Sequence, residues 1–68
     1  MKPFELRLAQ EHLKASRHLK NLESFIGDSS RFDRIPVMQR TLMLRQKDML
    51  RQYVDILEKR LENLGIPI

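Results

Sequence analysis

The apolar positions between Pro36 and Leu64 recur in alternating steps of four and three. Met43, Lys47, Leu50, Val54, Leu57, Leu61 and Leu64 form one such seam, the spacing of a heptad helix. Gln39, Leu42, Gln46, Met49, Tyr53, Ile56 and Arg60 form a second in the adjoining register. Two neighbouring seams make an apolar arc wider than one partner helix covers. The opposite face is charged, with Arg40, Asp48, Arg51, Asp55, Lys59 and Glu62. Arg51–Asp55 and Asp55–Lys59 are spaced as i,i+4 ion pairs. The pattern predicts a helix over residues 36–64, roughly 43 Å long at the α-helical rise. Pro36 suits its first position, Gly65 a left-handed cap with Ile66 folded onto Leu61, and Pro67 ends it.

A shorter helix is predicted over residues 4–26. Leu8, His12, Ala15, Leu19, Leu22 and Ile26 make its main seam, flanked by Phe4. Leu6, Ala9, Leu13 and Ser16 make a second stripe well round the cylinder, which points to a further neighbour. Gly27 is expected to end this helix in the left-handed conformation. The loop over 27–35 is rich in turn formers, and one helical turn capped by Ser29 or Ser30 would let Phe32 plug the closed end. A connection this short makes the helices antiparallel neighbours. The expected fold is all-α: an antiparallel two-helix hairpin, one domain over 1–68, associating into a dimeric four-helix bundle or a larger helical assembly. Leu6, Leu13, Met43, Leu50 and Leu57 are the expected oligomer contacts.

Composition narrows the function. A chain of 68 residues holds a small core, and with no cysteine the inexpensive reinforcement is self-association. Absent cysteine fits a reducing cytosol. The first residues lack the apolar run of a signal peptide, and no stretch is long enough to span a bilayer. The net charge of +4 excludes an acidic DNA mimic. Positive charge gathers at Arg31, Arg34, Arg40, Arg45, Lys47 and Arg51. This group is the candidate partner-binding surface, for an acidic host protein or, with salt-sensitive binding, for nucleic acid.

Catalysis is not expected. His12 and His18 stand six apart, the wrong spacing for two metal ligands on one helix face. Ser16 lies one turn after His12, but a helical Ser–His pair with no oxyanion site is no nucleophile. His12 is read as a hydrogen-bonded inner-seam residue. No cofactor and no metal are expected. Gln39, Gln46, Tyr53 and Arg60 form a polar ladder at seven-residue intervals inside the apolar arc. Such a ladder either fixes register and oligomer state or holds a small ligand.

Several of these residues also carry a likeness. Lys20-Asn21-Leu22-Glu23-Ser24-Phe25-Ile26, Phe32, Ile35-Pro36, and the spaced Gln39, Leu42, Gln46, Met49, Tyr53, Ile56-Leu57 and Arg60 are the residues concerned. Together the set resembles a family of very small tailed-phage helical-hairpin proteins related to a crAss-like phage protein. Val37-Met38 and Arg40 depart from that family, which tends to be acidic where the second helix begins. The resemblance implies phage origin and no established activity. The expected function is a non-catalytic accessory protein that binds a host protein, such as a defence protein, in the host cytoplasm. The alternatives are a basic helical nucleic-acid binder and an oligomer that sequesters a small signalling nucleotide.

Overall fold

The computed structural model describes residues 2–67, so both ends of the expected 1–68 domain lie outside the described residues. Two long helices, α1 (Pro3–Gly27) and α3 (Val37–Asn63), run antiparallel and are joined by a single turn of helix, α2 (Ser29–Phe32). The result is a rod of 45 × 15 × 15 Å, one long helix in length and two helices in section. The all-α hairpin expected from periodicity is therefore what forms, with α1 and α3 packed along each other.

The core is the line where the two main seams meet. Leu8 and Ala15 of α1 pack with Val54, Leu57 and Leu61 of α3, and Ala9, Leu19 and Ile66 close over them. Leu57 and Leu61 are the most enclosed side chains, at 1% and 2% exposure. This core lies toward the end that holds both chain termini. Nearer the closed end the seam continues through half-buried Leu22, Ile26, Met43, Lys47 and Leu50.

The helix ends follow local chemistry. Pro3 opens α1, and the Glu5 carboxylate accepts the Lys2 backbone N–H at 3.2 Å. At the far end of α3, Gly65 takes φ 74°, the Gly65 N–H donates to Glu62 O and the Ile66 N–H to Leu61 O, both at 2.9 Å. These two bonds define the Schellman ending expected there, with Ile66 against the core. Ala at position 65 would resist this backbone. We expect Gly65→Ala to cost about 1 kcal/mol, read as a lower melting temperature with unchanged helicity at low temperature. An unchanged melt would show that the cap carries no stability.

Three local expectations are corrected. Gly27 does not adopt positive φ; it is the last residue of α1, and Asp28 makes the break with φ −91° and ψ 91°. No left-handed residue is required, because the same Asp28 ends α1 and starts α2, its carbonyl accepting the Arg31 and Phe32 N–H groups at 3.1 and 2.8 Å. For the same reason Asp28, and not Ser29 or Ser30, caps the short turn; the Ser30 hydroxyl donates to Asp28 Oδ1 at 2.7 Å. That bond, joined by Arg31, holds the Asp28 carboxyl below its usual range. Pro36 is the N-cap of α3 and not its first helical residue: its extended backbone precedes Val37, and its carbonyl accepts the Arg40 N–H at 3.0 Å.

Candidate functional site

The α1–α3 pair has two flanks, which differ in chemistry. On one, polar groups close the seam. His12 Nε2 lies 3.3 Å from Glu58 Oε1, with Ser16 Oγ at 3.4 Å from the same nitrogen. With its proton on Nε2, the imidazole donates to Glu58 and ties α1 to α3. His12 is thus an inner-seam residue hydrogen-bonded across the pair, as its position implied. Further along this flank, Arg51 pairs with Glu23 of α1. Arg51 therefore does not pair with Asp55 as the helical spacing allowed; Asp55 is held by Lys59 at 2.9 Å.

These contacts engage part of the expected basic group. Arg51 is engaged across the hairpin, and Arg31 is held by Asp28 at 3.0 Å and lies over the Phe25 ring at 5.0 Å. Lys47 is half-buried in the seam. Arg40 is also half-buried, and its Nε is enclosed with no hydrogen-bond partner among the described residues. Arg34 and Arg45 are exposed, but Arg45 is five residues from Arg40, about 140° around the helix.

The opposite flank is open. Gln39, Gln46, Tyr53 and Arg60 are all exposed along α3. Beside them run Leu42, Met49 and Ile56, at 43%, 63% and 55% exposure. On α1 a matching row lies at the same interval: Phe4, Glu11, His18 and Phe25. The two rows meet in at least two places. Glu11 acts as hydrogen-bond acceptor for the Tyr53 hydroxyl and, with partial burial, pushes the phenol above its ordinary value, while Arg60 acts in the opposite sense. Phe4 and Arg60 face one groove of about 410 Å³, completed by Ile56, Lys59, Asn63 and Leu64.

That groove is a shallow concave feature near the open end of the hairpin. Its walls are mostly apolar, and the polar residues among its lining are Lys59, Arg60 and Asn63. Asp55, by its hydrogen bond and its charge, raises the affinity of the Lys59 ammonium for its proton. A planar group could lie against Phe4, an anionic group could take Lys59 and Arg60, and Asn63 could both donate and accept hydrogen bonds. Among the described residues no cluster of His, Asp or Glu is placed to hold a metal ion.

The expected oligomer contacts also divide. Leu57 is enclosed within the single chain, and Met43 and Leu50 are half-buried along the same seam. Leu6 and Leu13 remain open at 50% and 49%, near the outer side of α1. The largest open apolar row on α3 is instead Leu42, Met49 and Ile56.

Sequence reasoning identified Arg60, Tyr53, Gln46 and Gln39 but passed over Phe4, Glu11, Lys59, Asn63 and Leu64. A signal was present for the first two: the seven-residue interval of Phe4 and Glu11 copies that of the ladder, and antiparallel packing sets the rows side by side. No comparable signal marks Asn63 or Leu64, whose place in the groove depends on where α3 ends.

The fold defines a small helical-hairpin protein with one open flank of mixed polar and apolar side chains. The chain belongs to the Sequestin family, whose model matches residues 2–63. No curated protein and no solved structure matches it significantly. The expected membership of a small family is shown in this form, over nearly the whole chain. Among the described residues no helix is long and apolar enough to cross a membrane.

Proposed function

We propose that this protein is a non-catalytic sequestering protein that captures a small anionic ligand, a signalling nucleotide, on its ladder flank. The observation that carries the reading is the groove, where Phe4 stands opposite Lys59, Arg60 and Asn63. A nucleotide has the three matching parts: a planar base for the ring, phosphate for the cations, and a base edge for the amide. The family name supports sequestration as the activity. The tailed-phage resemblance supports a setting in the host cytoplasm, where removing a signal would blunt a defence response.

The reading of a host protein docked through the basic group is weaker. Arg51 and Arg31 are paired with carboxylates of this chain, and Arg40 and Lys47 are half-buried, which leaves Arg34 and Arg45 as its exposed members unpaired among the described residues. For nucleic acid the same pairing lowers the number of cations free to neutralise phosphates.

The test is to denature the protein after purification from cells that make cyclic and linear signalling nucleotides, and to identify released compounds by mass spectrometry. A nucleotide released in near-stoichiometric amount, and taken up again on refolding, is the expected result. Release of no nucleotide, together with no heat of binding when a panel of nucleotides is titrated in, would refute the reading. Capture of an acidic host protein by the same preparation would then favour the docking alternative.

A further inference from the structure

We propose that two copies of this chain pair antiparallel through α3, with Met49 on the two-fold axis, and that each copy supplies one wall of the other's groove. The row Leu42, Met49, Ile56 is exposed at 43%, 63% and 55%, and its members are seven residues apart. A three-member row of this kind is symmetric about its centre. Turned end for end on a second copy, it sets Met49 against Met49 and Leu42 against Ile56, twice, so every apolar member is covered. This is the self-complementary surface that an isologous interface requires. Sliding the pair by half a heptad would set Leu42 against Tyr53 and Met49 against Gln46, leaving polar groups against apolar ones.

Charge selects the antiparallel orientation. The ladder bears one full charge, Arg60, near one end. Parallel pairing would bring the two Arg60 guanidinium groups face to face, and Arg45 to Arg45. Antiparallel pairing about Met49 separates the Arg60 residues by about 33 Å along the axis, beyond the screening length at physiological salt. It also brings Arg45 toward Tyr53 of the second copy, an aromatic partner for the cation. The first half of α3 is basic, and residues 52–68 carry two cations against three anions, so the halves attract when the helices oppose.

The pairing also brings the exposed start of α3 against the second copy. Met38 is 68% exposed although large and apolar. In this register it falls opposite Arg60, and Leu42 falls opposite Ile56, so Met38 and Leu42 of the second copy stand at the open side of the groove. The dimer then holds two grooves, each closed by the start of the other copy's α3. The closing of the groove rests on the function proposed above; the pairing does not.

The chain contains no cysteine, so single cysteines report pairing cleanly. Disulfide formation requires Cα atoms within about 7 Å. Under mild oxidation without ligand, Met49→Cys should convert most of the protein to a covalent dimer. Leu42→Cys alone and Ile56→Cys alone should not, since the two Leu42 positions are roughly 21 Å apart along the axis, whereas a mixture of the two variants should give the mixed dimer. Leu13→Cys, half-exposed on the outer side of α1, sets the rate of chance collisions. All three tested side chains on α3 are exposed, so the hairpin should tolerate the changes. Rapid self-linking of Leu42→Cys would mean parallel pairing and would overturn the proposal. So would linking of Met49→Cys no faster than Leu13→Cys, or a parent protein that sediments as a monomer at high micromolar concentration. None of these outcomes bears on whether Arg60 retains a nucleotide, so the two readings fail separately.

Discussion

Leu57→Ala should leave most of the protein unfolded at room temperature. The side chain is 1% exposed and belongs to a core of five buried residues among the described ones, all of them on α1 and α3. Replacing a buried leucine with alanine removes the transfer energy of the lost carbons and leaves a cavity, together about 2–5 kcal/mol. A chain of this length draws only about 3–5 kcal/mol from a single core, so the loss is comparable with the whole stability. The cavity cannot relax away, because Val54 and Leu61 on either side are themselves buried against α1. Far-ultraviolet circular dichroism should show most of the helical signal lost and no cooperative melt. Gln52→Ala, on the exposed face, should stay within about 0.5 kcal/mol of the parent. A Leu57→Ala protein that melts within a few degrees of the parent would mean that the hairpin is held by contacts other than this core.

Arg60→Glu should abolish ligand capture while leaving the hairpin intact. Arg60 is exposed and lines the groove, and among the described residues it is the groove's cation with no carboxylate partner, since Lys59 is held by Asp55. A charge-assisted hydrogen bond contributes about 1.5–3 kcal/mol, and reversal adds repulsion between the new carboxylate and the ligand. The combined loss should exceed about 100-fold in affinity, by the factor of ten per 1.4 kcal/mol. Phe4→Ala should weaken capture by a smaller step, about 1–3 kcal/mol for one stacked ring, and its effect should depend little on salt. Calorimetric titration of a nucleotide into each variant, with circular dichroism as the folding control, separates the contributions. Undiminished binding by Arg60→Glu would remove the groove from the function.

The helices, their ends and their antiparallel arrangement were legible in the residue pattern. Periodicity of three and four is encoded within one turn, so the seam of Val54, Leu57 and Leu61 is visible without any neighbour present. The Gly65 cap is equally local: one residue without a Cβ, followed by Ile66 and Pro67, dictates the ending. The short connection forces the hairpin, since the chain has no length in which to do anything else.

The face open for binding was not legible to the same degree. α3 carries two adjoining seams, and either could in principle receive α1; the packing of Leu8 and Ala15 against one of them left Leu42, Met49 and Ile56 outside. Arg51 had an acidic neighbour four residues on, yet its partner is Glu23, far away in sequence and adjacent only through the turn at α2. Cations close in sequence need not be close on a helix. The groove lies further still from local pattern: Phe4 and Asn63 stand near opposite ends of the chain and meet only once the two helices are in register. Residues within a turn determine what a helix is, and that much is written in the chain order. Which of its faces is spent, and which residues from the two ends share a site, depends on the register between helices, and only the packed hairpin sets it.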